Sequence, residues 1–160
     1  MTGPVSVVVL AAQVVVALGG AADEVTERVD LTGVDVVLNP DFGDGCATSI
    51  RTALTRVRED ATGVVLLLGD QPGVTPETVR DLVAGAAGHT VGVCAYDDAP
   101  GHPLWFGRNM FARLSGLHGD KAVWTIVEAG EDVVHVPVPG PVPRDVDTWA
   151  DYQALLGADG

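Results

Sequence analysis

The sequence predicts an α/β domain, a mostly parallel central sheet with helices on both faces. Three observations carry that expectation. Short Val- and Leu-rich runs alternate with longer stretches of helical pattern, the βαβα rhythm of a parallel sheet. The run Gly63–Leu68 is continuously apolar, as in a strand covered on both faces, rather than alternating. The chain has 160 residues, 47% of them hydrophobic, which fits a single domain over residues 1–160 with a proper core.

The elements follow in order. Val5–Ala12 and Val14–Leu18 read as strands, and Ala21–Val29 as a helix. Val34–Leu38 is a strand, followed by a glycine-rich turn and a helix over Cys46–Glu59. After Gly63–Leu68, Thr75 supplies an N-cap and Pro76 a first helical residue, which starts a helix over Pro76–Gly85. Val91–Tyr96 is a strand, and Gly101–Phe106 opens an aromatic one. Asn109–Leu114 and Lys121–Ala129 are helical, the second capped by Asp120. Val133–Val138 is the last strand. A Pro/Gly-rich connection from Pro137 to Pro143 leads to a helix over Thr148–Leu156, capped by Asp147 or Thr148.

One place breaks the rhythm. Only Gln13 separates the first two runs, whereas parallel neighbours need a crossover of about a dozen residues. As a single strand, Val5–Leu18 would exceed the usual range of roughly 3–10 residues. Either the N-terminal architecture is unusual, or a loop and helix are missing between Ala12 and Gln13.

Composition narrows the function. A formal net charge of −13 repels nucleic-acid phosphates, so no nucleic-acid partner is expected. Lys121 is the single lysine beside eight arginines, which leaves few point charges for a phosphate. Cys46 and Cys94 suggest no disulfide framework in a domain this size, and the expected compartment is the reducing cytoplasm. Val5–Leu18 lacks a basic leader region, carries Gln13 and is short for a bilayer, so no membrane partner is expected.

Five segments carry chemistry. The apolar run ending in Gly69-Asp70-Gln71-Pro72 delivers a carboxylate at a strand's carboxyl end, where open α/β sheets bind ligands. Asp70 is a candidate ligand for a hard cation such as Mg²⁺, which takes one or two carboxylates and completes its shell with phosphates and water. The plainer role is capping a turn. In Asp145-Val146-Asp147, the carboxylates alternate and share a side in extended chain, so either would join Asp70 or cap the last helix. Gly101-His102-Pro103 places a histidine beside a pocket, or simply in a turn before an edge strand. His118-Gly119-Asp120-Lys121 sets the lysine in a helix's first turn, where the macrodipole opposes it and an anion would compensate. In Asn39–Arg51, a glycine-rich strand–helix turn brings Ser49 and Arg51 near a base, ribose or phosphate.

In order and spacing, these motifs resemble the MobA-like nucleotidyltransferases, and within them the molybdenum cofactor cytidylyltransferase branch. The matching stretches are Val7–Ala12, Asn39–Leu54, Leu66–Glu77, Gly101–Phe106, Gly119–Lys121 and Asp145–Tyr152. The resemblance implies a Rossmann-like nucleotidyltransferase fold and Mg²⁺-dependent transfer of CMP from CTP to molybdopterin cofactor, with release of pyrophosphate. It makes Asp70 and Asp147 the catalytic metal-side acids, with Asp145 as a further metal ligand. Ser49, Gly69, Gln71, Gly101, His102, Pro103, Asp120 and Lys121 become substrate-binding residues. A molybdenum hydroxylase apoenzyme is an implied partner. The family's first strand leads into a glycine-rich, basic phosphate loop and a helix, whereas here Leu10-Ala11-Ala12 runs directly into the second strand. That departure keeps open a non-catalytic carrier or chaperone for the cofactor. An NAD(P)H-dependent oxidoreductase of the nicotine blue type is a further reading, although no G-x-G-x-x-G turn is present.

Overall fold

The computed structural model describes residues 6–10, 13–119, 122–130 and 132–158. In chain order the elements are β1 (Ser6–Leu10), β2 (Gln13–Leu18), α1 (Ala22–Arg28), β3 (Asp35–Leu38) and α2 (Cys46–Leu54). Then come β4 (Gly63–Leu68), α3 (Pro76–Gly85), β5 (Val91–Ala95) and β6 (Pro100–Gly107). The chain continues through α4 (Phe111–Ser115), α5 (Ala122–Ala129), β7 (Val133–Pro137) and α6 (Trp149–Ala158). The strands form one sheet in the order β3-β2-β1-β4-β6-β5-β7.

The sheet is mixed, which corrects the expectation of a mostly parallel one. Only β2–β3 and β5–β7 pair in parallel; β1–β2, β1–β4, β4–β6 and β5–β6 are antiparallel. Connection length is the reason. Leu10 pairs with Gln13, so β1 and β2 are joined by two residues, and so short a link permits only a hairpin. The described residues of the two runs form two antiparallel strands rather than one long one. Four residues join β5 to β6, with the Tyr96 N–H bonded to the Ala99 carbonyl, and β6 is reversed for the same reason. The strand containing His102 is not at an edge. It lies between β4 and β5.

Helices do cover both faces. Val64 and Leu66 of β4 pack with Ile50 and Ala53 of α2, Leu114 of α4, and Val123 and Ile126 of α5. Val65 faces the other way, onto Leu82 of α3, with Cys94, Tyr96, Val136 and Val138 around it. The unbroken apolar run of β4 is the direct consequence of that double burial. Phe106 is fully buried on the α2 face. Phe106→Ala is expected to cost about 3–5 kcal/mol, read as a lower urea midpoint at unchanged m-value.

Local signals explain most boundaries. The Thr75 hydroxyl accepts the Thr78 N–H at 3.2 Å, and Pro76 opens α3. Thr148 caps α6 through a reciprocal box with Asp151, whose carboxylate accepts the Thr148 N–H at 2.8 Å and the Asp147 N–H at 3.2 Å. Helix α2 stops short of the expected Glu59. Its end tightens through bonds from Arg56 and Val57 to Ala53 and Leu54, while Gln13 clasps the exit. That side chain donates to the Arg56 carbonyl and accepts the Arg58 N–H, a tertiary capture that helical periodicity does not reveal. No described helix is long and apolar enough to cross a membrane.

Candidate active site at the carboxyl end of β4

Strand β4 ends at Leu68, and the chain turns at once, with the Gln71 N–H bonded to the Leu68 carbonyl at 3.3 Å. The turn leaves Gly69 exposed and Asp70 half-buried. The Asp70 carbonyl accepts the Val146 N–H at 2.8 Å, which ties the turn to the segment carrying the other two acids. Its side chain is less comfortable. Oδ1 of Asp70 is buried and lacks a hydrogen-bond partner among the described residues. Burial, and then the negative charges of Asp145 and Asp147, push the Asp70 carboxyl above its ordinary range.

Gln71 is the hinge of the cluster. It is buried, and its Nε2 donates to Asp145 Oδ1 at 2.7 Å and reaches the Pro143 carbonyl at 3.5 Å. Its Oε1 is a second buried atom without a partner among the described residues. A native structure rarely leaves such groups unsatisfied without a functional reason. Asp145 and Asp147 are both exposed, so the cluster opens to solvent on their side.

His102 approaches from β6. Register places Leu104 beside Leu66, so two residues earlier His102 lies level with the end of β4. Its ring meets Trp124 of α5 edge-on, with centroids 5.5 Å apart and planes at 87°. Burial lowers its pKa to about 4, against the opposing pull of Asp145, so the ring is neutral at pH 7. The Tyr96 hydroxyl donates to the His102 carbonyl at 2.6 Å. Gly101 suits a close approach: a Cβ there would sit a tight 3.1 Å from Val142 and 3.3 Å from Tyr96. Pro103 is fully buried, after a cis peptide.

The structure thus brings together Asp70, Gln71, His102, Asp145 and Asp147, with Gly69, Gly101 and Pro103 as backbone support. Ser49 has a different immediate role. It is buried, and its hydroxyl accepts from Asn39 Nδ2 at 3.0 Å, in a knot where the same amide bonds Thr48 at 2.8 Å. Asn39, buried at the end of β3, organises this loop. Asp120 and Lys121 lie outside the described residues. Trp124, Tyr96 and Pro143 are site neighbours that sequence reasoning missed. Trp124 was visible only as an apolar position of a helix, and the two others carried no motif.

A divalent cation fits this donor set in part. Among the described residues no three His, Cys, Asp or Glu side chains form a ready cage. Yet Asp70 offers a buried, unpartnered carboxylate oxygen facing two further carboxylates, whose mutual repulsion a cation would relieve. Mg²⁺ and Mn²⁺ need no more than one or two such oxygens from the protein when phosphates and water complete the shell.

The family model described as the MobA-like NTP transferase domain matches residues 6–134. A homolog of Mycobacterium tuberculosis Rv0371c from Mycobacterium sp. strain JC1 is 48% identical, with a TM-score of 0.83 over 91% of this chain and 74% of that one. Rv0371c from M. tuberculosis H37Rv, solved as a complex with manganese, is equally similar at 48% and 0.83, over 91% of this chain and 78% of that one. Molybdopterin-guanine dinucleotide biosynthesis protein A from Archaeoglobus fulgidus shares the fold alone, at 16% identity and a TM-score of 0.60 over 90% and 79% of the two chains. No curated protein matches. With most of its length matched by the family model, and the acidic turn of β4 where an α/β ligand site belongs, the chain is a member of the MobA-like NTP transferase domain family.

Proposed function

We propose that this nucleotidyltransferase moves CMP from CTP to a molybdopterin-type acceptor with a divalent cation bound at Asp70. The observation that carries the reading is the buried, unpartnered Oδ1 of Asp70 beside the charges of Asp145 and Asp147. A 48%-identical relative whose structure is a manganese complex supports it. In the transfer, a phosphate oxygen of the acceptor bonds to the α-phosphorus of CTP as the bond to pyrophosphate breaks. A cation supplies charge neutralisation at those phosphates when bound.

The protein's part is positioning. Asp70 and Asp147 would hold the cation, with Asp145 alongside, its orientation fixed by the Gln71 amide at 2.7 Å. The neutral His102 ring, braced against Trp124, offers a hydrogen bond without adding a charge. Gly69 leaves backbone accessible to a ligand, Gly101 lets Val142 and Tyr96 close around the His102 segment, and Ser49 and Lys121 complete the proposed nucleotide contacts. Mg²⁺ is the proposed resident cation and the cytoplasm the proposed compartment.

The two-residue link between β1 and β2 favours a second reading, a non-catalytic cofactor carrier, because no phosphate-wrapping loop is present there. Calorimetry separates the two. Mg-CTP should bind the wild-type chain and bind Asp70→Asn more weakly. Absence of any CTP binding by the wild-type chain would overturn nucleotidyl transfer and leave the carrier ahead.

A further inference from the structure

Residues 137–143 alternate strictly: prolines at 137, 139, 141 and 143 enclose Val138, Gly140 and Val142. Only those three have a backbone N–H to give, since proline has none. All three are given to one neighbour. Val138 donates to the Ala95 carbonyl at 2.9 Å, Gly140 to Asp97 Oδ2 at 3.0 Å, and Val142 to Asp98 Oδ1 at 2.8 Å. The Asp97 N–H returns a bond to the Gly140 carbonyl at 2.9 Å. The first bond extends the parallel β5–β7 ladder. Beyond Ala95 the chain turns back into β6, and two side-chain carboxylates replace the lost carbonyl acceptors.

That substitution is not ordinary turn chemistry. An aspartate in a turn usually bonds its own backbone two residues on. Asp97 and Asp98 instead reach 43 and 44 residues along the chain. Downstream, the strap docks directly on the site. Val142 packs on Gly101 and Pro143 on Gly73, Gln71 reaches Pro143 and Asp145, and Val146 bonds Asp70. A proline-rich segment is extended and semi-rigid, so fixing one end constrains the other.

We propose that Asp97 and Asp98 are positioning residues. They hold the strap that sets Asp145 and Asp147 against Asp70, and so tune divalent-cation affinity from outside the site. The inference rests on the metal-binding reading of Asp70.

The test compares two double variants of the full chain, Asp97→Ala/Asp98→Ala and Asp97→Asn/Asp98→Asn. Both remove the same two charges, but only asparagine keeps an oxygen that accepts the strap's N–H groups. Mn²⁺ affinity is measured by the electron paramagnetic resonance of free Mn²⁺, and the Val146 amide is followed by hydrogen exchange. The alanine pair should weaken Mn²⁺ binding about 10-fold or more and speed Val146 exchange, with Val65 of β4 unchanged. The asparagine pair should recover most of both. Single Asp98→Ala serves if the alanine pair does not fold, with the same signs. Wild-type Mn²⁺ affinity in the alanine variant overturns the inference, as does equal weakening in the asparagine pair. A wild-type chain that binds no Mn²⁺ overturns the metal reading itself, which is a different failure.

Discussion

Asp70→Asn should abolish most Mn²⁺ binding while making the metal-free protein more stable at neutral pH. The two effects have one cause. The Asp70 carboxylate is charged, partly desolvated and faced by Asp145 and Asp147, so ionising it in the folded chain costs more than in the unfolded one. Its raised pKa fixes the sign. Well below the unfolded value of 3.8 both states are protonated and no penalty exists. As pH rises past that value the unfolded chain ionises first, and folding pays the full difference once pH passes the raised folded value. An amide at position 70 removes that cost, so the variant's midpoint of denaturation should exceed that of the wild type at pH 7 and match it near pH 3. It also removes the negative charge of the unpartnered Asp70 carboxylate, and transferase turnover with Mn²⁺ should fall by about 100-fold or more. Stability and function would then move in opposite directions, as they do where a site is strained for its ligand. A variant that loses metal and also loses stability at pH 7 would contradict this account of Asp70.

The site was legible where short-range chemistry determines it. Gly63–Leu68 reads as a doubly covered strand because both faces are in fact buried, and Gly69-Asp70-Gln71-Pro72 reads as its functional exit because glycine and proline end pairing. Thr75 and Pro76 likewise announce α3. What the sequence concealed depends on partners far along the chain. The rhythm of apolar runs implies crossovers, but it carries no direction, and β1 and β6 are reversed by links of two and four residues. Helix α2 ends early because Gln13 captures its exit from 43 and 45 residues away. The glycine-rich turn does not reveal that the Ser49 hydroxyl accepts the Asn39 amide from ten residues away. The Pro/Gly-rich connection is plain in the sequence; the acceptors of its Gly140 and Val142 N–H groups, Asp97 and Asp98, are not, because nothing in a turn sequence says it will bind a strap.

His102 should make the protein weaker, not stronger, between about pH 6.5 and pH 4. Its ring is half-buried against Trp124 and has a pKa lowered from 6.5 to about 4. Above pH 6.5 the ring is neutral in both states and contributes nothing to pH dependence. As pH falls through 6.5 the unfolded chain takes up a proton that the folded chain refuses until about pH 4, so stability is lost across that window and then levels off. The lowered pKa sets a ceiling of about 3 kcal/mol on the loss, reduced by whatever water reaches the ring. Without Asp145, whose negative charge favours the protonated ring, the loss would be larger. Asp70 works the other way, gaining stability as pH falls through its raised value, so the two site residues contribute opposed slopes to the wild-type profile. His102→Phe separates them. It keeps an aromatic ring for Trp124 but cannot titrate, and should remove most of the loss between pH 6.5 and 4 while leaving the Asp70 slope. Denaturant midpoints at half-unit steps of pH, in both proteins, measure this directly. An identical slope in the two would mean that the His102 ring is solvated and free to protonate, and would remove the neutral hydrogen-bonding role assigned to it beside Asp145.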